Sequence, residues 1–293
     1  MSSAYHTTGL NRASPPRERK MAALFSRELA VRAVFGVLLA VAAVAATIMG
    51  GYVFAAFVAL GALAALREWH RMVGTSRFAR ELVVASLAII AALATTLIAA
   101  RAGWAFAVLG AGALATAGVA ALRRERPILG GFGALYIGVP ACSLMILRLH
   151  TADAQWVVLG VFLTIWTADT GALLVGKLLG GPKLLPLLSP NKTWTGFCGG
   201  LVLPAGVAAL YVTAFGGIAW RGFAVGLILA AAGHAGDLFE SWVKRRVGRK
   251  NSGELIPGHG GILDRVDSTL FVVPLAAVLF HFYGAVQLFG VAP

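Results

Sequence analysis

Residues 33–66 read AVFGVLLAVAAVAATIMGGYVFAAFVALGALAAL, 34 positions without one charged side chain. As a single helix this run would be about 50 Å long, against a bilayer core of about 30 Å. It is therefore too long for one crossing. Gly50-Gly51 sits near its middle and is the natural break between two spans. The run also exceeds the apolar core of a secretory signal, about 7–15 residues, so no cleaved signal is read.

The rest of the chain repeats this pattern. Of 293 residues, 59% are hydrophobic and 13% charged. Soluble domains carry about 25% charged residues, so lipid is the solvent this composition demands. Apolar runs of spanning length fall near 31–49, 51–67, 82–99, 103–122, 128–148, 155–176, 197–215, 222–243 and 269–290. The expectation is an all-α, polytopic membrane protein with about nine transmembrane helices, because lipid cannot satisfy free backbone groups and nothing here alternates like a membrane strand. Residues 1–29, rich in Ser, Pro and Arg, read as a flexible, basic cytosolic tail. Residues 30–293 read as one transmembrane domain, with the chemistry in about 155–293.

Charge supports this topology. With nine spans and a cytosolic N-terminus, 22 of the 25 Lys and Arg lie on the cytosolic side. Only Arg101, Arg148 and Arg221 lie opposite. That bias is the positive-inside rule. A basic face at a membrane suits anionic lipids and nucleotides rather than nucleic acid, and no nucleic-acid partner is expected. Of twelve acids, six fall between Asp169 and Asp267, so the first half reads as scaffold and the second as chemistry. Cys142 and Cys198 read as small packing residues, with no Cys-x-x-Cys pair. Gly171 to Lys177 mimics a Walker A loop but lacks the following Ser or Thr and lies in an apolar helical run. His70, His150 and His281 are isolated and read as structural.

The polar exception is 234–268. His234, Asp237, Ser241 and Lys244 are spaced by three, four and three, one face of a helix. Glu240 reads as a salt-bridge partner of Lys244. Lys244, Arg245, Lys250 and Arg265 can bind several phosphates. Gly258, Gly260 and Gly261 allow backbone N–H groups to approach phosphate oxygens. Asp264 and Asp267 share a face at the start of the last span, and with Asp237 they make a hard-oxygen set of the kind Mg²⁺ prefers. Metal-dependent chemistry on a phosphorylated substrate is the reading that follows.

This stretch resembles the signature of the phosphatidate cytidylyltransferases. The matching residues are Ser241, Lys244, Arg245, Lys250, Pro257, His259, Gly260, Gly261, Asp264, Arg265 and Asp267. Two upstream blocks, around Trp166 to Ala172 with Asp169 and around Ser189 to Gly196 with Lys192 and Thr193, are similar to further blocks of that family. Strong resemblance covers 165–268. Asn251 departs from it, standing where the family has Asp; the amide keeps an acceptor oxygen but loses the charge. Thr195 and Leu173 depart as well.

The resemblance implies that CTP and phosphatidate give CDP-diacylglycerol and pyrophosphate in phospholipid biosynthesis. It implies Mg²⁺ on Asp237, Asp264 and Asp267, a second cation being left open. Lys244, Arg245, Lys250 and Arg265 would offset charge on the pyrophosphate, with His259 touching phosphate or shaping the loop. Ser189, Lys192, Thr193, Ser241, Asp169 and the three glycines would line the substrates. The expected setting is a bacterial inner membrane, multi-pass, with the site on the cytosolic side, membrane lipid as partner and a homodimer suggested by the family alone. Two rivals stay open, a CTP-dependent lipid-alcohol kinase and a membrane transporter. The kinase would release CDP, and the transporter would cleave no bond.

Overall fold

The computed structural model describes residues 34–73, 80–99, 102–124, 126–149, 154–186, 188–249, 252–253 and 261–289. The chain divides into two units, residues 1–41 and 42–293. In the first, the described residues 34–41 are helical. Apart from the bounds of the first helix, everything below concerns the second.

Among the described residues there are nine helices. They are α1 Val34–Met49, α2 Gly51–Val73, α3 Arg80–Ala99, α4 Ala102–Leu122, α5 Pro127–Leu149, α6 Ala154–Leu179, α7 Trp194–Ala214, α8 Ala219–Arg246 and α9 Leu263–Phe289. From α2 to α9, eight are long and apolar enough to cross a membrane. The 33–66 run breaks at Gly50 and Gly51, whose φ angles of 62° and 49° lie in the left-handed region. The chain is a multi-pass membrane protein, and its outward faces carry large apolar side chains such as Leu60, Leu114, Leu178 and Leu210.

Two boundaries differ most from the sequence reading, each because polar residues continue a helix. α2 runs on through Arg67, Glu68, Trp69, His70 and Arg71 to Val73. α9 starts at Leu263, so Asp264 and Asp267 stand in its first turns. The block from Ser189 begins with a strand that the sequence reading did not anticipate: β1 Lys183–Leu185 pairs antiparallel with β2 Ser189–Thr193, setting Lys183 opposite Thr193. Alternation over so few residues is weak, and Pro190 further masks it; Pro is tolerated because both strands are edges. Gly180 and Gly181, with φ of 62° and 115°, end α6 and turn the chain into this hairpin.

α5 is the buried centre, with 67% of its spanning window inside the protein against 28% for α4. It packs on α2, α3, α4 and α9. The C-terminal helices pack in series, α6 on α7, α7 on α8 and α8 on α9. Small residues bring these backbones together, as is usual between helices in lipid. Gly171 faces the Gly199 carbonyl and Gly196 that of Ala172, and a methyl group on either would sit within 2.9 Å of the facing oxygen. Gly236 of α8 lies equally close to the Asp267 carbonyl of α9.

Beneath the polar end of α8 lies an aromatic cluster of Trp69, Phe132, Tyr136, Phe239 and Phe271. Trp69, fully buried, donates its indole N–H to the Leu129 carbonyl at 2.9 Å. This pins α2 to α5 and fixes the height of its neighbour Glu68. The helix ends gather as alternate crossing requires. Arg123 after α4 reaches Glu81 at the start of α3 (3.5 Å), whereas Arg148 at the end of α5 donates to the Thr47 carbonyl at the end of α1 (2.7 Å).

Candidate active site

Three elements, β2, α8 and α9, bring polar residues to one end of the helices. β2 presents Lys192, whose ammonium pairs with the Asp237 carboxylate of α8. About two turns later on α8, Lys244 donates to Asp264 of α9 at 2.7 Å and lies 3.5 Å from Glu240. Glu240 is fully buried, so the pair with Lys244 read from sequence forms inside the protein rather than at its surface.

Asp264 is the hub. Besides Lys244, its oxygens accept the Gly261 N–H at 2.9 Å and the Ser252 N–H at 3.2 Å. One of these donors, the Gly261 N–H, lies at the entry to α9, whose first backbone N–H groups have no partner within the helix. A carboxylate there also complements the positive end of the helix dipole. Asp267 accepts the Ser268 N–H at 2.7 Å. The charges of Asp169, Asp237 and Asp267 act on one another, and those of Lys192 and Arg265 reach Asp169.

Other residues singled out in the sequence take varied places. Thr193 is the N-cap of α7, its hydroxyl accepting the Gly196 N–H at 3.1 Å. Thr195, a departure from the family pattern, donates to the Gly180 carbonyl and so ties α7 to the turn after α6. Ser189 opens β2 and Ser241 lies on α8, both half-buried. Arg245 and Arg265 are exposed. Asp169 lies within α6, as expected for a span, but its side chain is exposed rather than buried. It opens on a cleft of about 10 Å³ lined also by Thr164, His234 and Ser268. Gly171 to Lys177 is continuous helix. Cys142 is buried as expected, while Cys198 is exposed on α7. Lys250, Asn251, Pro257, Gly258, His259 and Gly260 lie outside the described residues.

Sequence reasoning missed Glu68. It belongs to α2, in the half read as scaffold, yet its carboxylate accepts the Leu263 N–H at 2.9 Å and faces the Ser252 hydroxyl at 3.4 Å. Its one signal was a lone acid at the end of an apolar run, between Arg67 and His70.

Among the described residues no three of His, Cys, Asp and Glu stand ready to enclose a metal. The carboxylates do fit Mg²⁺ in kind, because Mg²⁺ is usually held by one or two carboxylates together with substrate phosphates rather than by an all-protein cage.

The fold and this cluster define a multi-pass membrane protein that gathers acidic and basic side chains at one end of its helices. The chain belongs to the cytidylyltransferase family, whose model matches residues 30–283. It is similar to the phosphatidate cytidylyltransferase of Brucella suis biovar 1 (strain 1330), 42% identical over 157 residues, 53% of this chain and 56% of that protein. It is likewise similar to the phosphatidate cytidylyltransferase of Staphylococcus aureus (strain COL), 45% identical over 146 residues, 49% of this chain and 55% of that one. The chain spans about half the length of the curated relatives it matches.

Proposed function

We propose that this chain transfers the cytidylyl group of CTP to phosphatidate, forming CDP-diacylglycerol and pyrophosphate. The observation that carries the reading is the convergence of Lys192, Asp237, Lys244, Asp264 and Asp267 at one end of a membrane bundle. The family match and the name of the relatives support it.

In this reaction a phosphatidate phosphate oxygen bonds to the α-phosphorus of CTP, and the bond from that phosphorus to the bridging α–β oxygen breaks. The electron pair leaves with pyrophosphate. The attacking group is already an anion and needs no strong base. Catalysis then rests on positioning and on neutralising charge. Lys192 and Lys244 supply cations held at fixed positions by carboxylates, and Arg245 and Arg265 add exposed ones. Asp237, Asp264 and Asp267 are the residues that would hold Mg²⁺. Asp264 already serves Lys244 and two backbone N–H groups, so the larger share falls to Asp237 and Asp267. When bound, Mg²⁺ supplies charge neutralisation on the triphosphate.

The location follows the same logic. The lipid keeps its tails in the bilayer and offers its head group at the surface where CTP is dissolved. The site is thus assigned to the cytosolic face of a cell membrane, in agreement with the distribution of Lys and Arg. The test is purified protein with labelled CTP and phosphatidate. Labelled CDP-diacylglycerol and pyrophosphate are expected only with a divalent cation. Release of CDP in place of pyrophosphate would point to a lipid kinase instead.

A further inference from the structure

We infer that Glu68 is a positioning residue of this site, clamping the two ends of segment 252–263 and through them holding Asp264 and Lys244 in place. The inference rests on the reaction proposed above. Glu68 is 1% exposed. One carboxylate oxygen accepts the Leu263 N–H at 2.9 Å, and Ser252 donates its hydroxyl to the same oxygen at 3.4 Å. Leu263 opens α9, so its N–H has no partner within the helix, and a carboxylate is the acceptor that also suits the helix dipole. Ser252 is shared between two acids: its hydroxyl goes to Glu68 and its N–H to Asp264. Asp264 in turn takes Gly261 N–H and Lys244. Two carboxylates from distant parts of the chain thus bind both ends of one segment.

Both glycines at those ends are shaped to the same carboxylate. A methyl group on Gly253 would lie 2.6 Å from Glu68 Oε1, and one on Gly261 would collide with Oε2. Glu68 Oε1 has no hydrogen-bond partner among the described residues and lies against Gly253. A buried carboxylate is a costly way to pack a helix. α2 does not need one, because Trp69 next to it already anchors α2 to α5. The role left for Glu68 is to hold Ser252, Gly253, Gly261 and Leu263 in place beside Asp264.

The experiment compares wild type, Glu68→Gln, Glu68→Ala and Ser252→Ala, with CTP and phosphatidate varied independently. Hydrogen–deuterium exchange over 252–263 is read on the same samples. Glu68→Ala should raise KM for CTP about tenfold while KM for phosphatidate stays within about twofold. Glu68→Gln, whose amide oxygen still accepts the Leu263 N–H, should return KM for CTP to within about threefold of wild type. Exchange over 252–263 should quicken in Glu68→Ala and not in Glu68→Gln. Unchanged kinetics and exchange in Glu68→Ala, or a Gln variant as impaired as the Ala variant, would overturn the inference. Should Glu68→Ala not fold, Ser252→Ala decides: an unchanged KM for CTP overturns it and a rise of about threefold supports it. If wild type itself makes no CDP-diacylglycerol, the proposed reaction falls, while the exchange data still judge the clamp.

Discussion

At the scale of single residues, the account turns on carboxylates that each hold a cation or an orphan N–H. Asp264 joins α8, α9 and segment 252–263 through one side chain. Replacing it with Ala should lower kcat/KM at least about 100-fold, while size-exclusion chromatography still shows a folded protein. Near-normal turnover would remove Asp264 from the site. Lys192 and Asp237 form a pair between β2 and α8. Lys192→Met and Asp237→Asn should therefore be non-additive: in a double-mutant cycle on kcat/KM, the second substitution adds much less than it does alone. Most of these residues were legible in the sequence, because their spacing marks a face and their charges stand out against an apolar helix. Glu68 was not. Its partners lie 184 and 195 positions away, and next to Arg67 and His70 it looks like an ordinary charge at a membrane surface.

At the scale of elements, apolar length gave the helices and polar content hid their ends. α2 and α9 extend past the apolar runs because Trp69 and Leu263 are buried against the bundle and carry the charged turns with them. The β1–β2 hairpin escaped notice because strands of three and five residues carry little periodicity, yet it is what delivers Lys192 to Asp237. The seam between α6 and α7 is set by small residues. Gly199 approaches Val175 so closely that an added Cβ would lie 2.5 Å from it. Gly199→Val should cost about 1–3 kcal/mol, read as a lower Tm in detergent, whereas the same change at Gly206, which faces open space, should cost much less.

At the scale of the whole molecule, the N-terminal half read as scaffold and the C-terminal half read as chemistry are not separate. α5 packs on α9, and α2 sends Glu68 into the entry of α9. Crossing direction follows from the same ends. In a cysteine-free background, Arg124→Cys should react with a membrane-impermeant maleimide in inside-out vesicles, and Gly217→Cys in right-side-out ones. The opposite pattern would invert the topology and move the site away from cytosolic CTP. The most direct test of the central claim remains turnover. Purified protein given CTP labelled at the α-phosphate, phosphatidate and Mg²⁺ should yield labelled CDP-diacylglycerol with an equal amount of pyrophosphate, and none once the metal is chelated. Folded protein that gives no labelled lipid with any divalent cation would contradict the account.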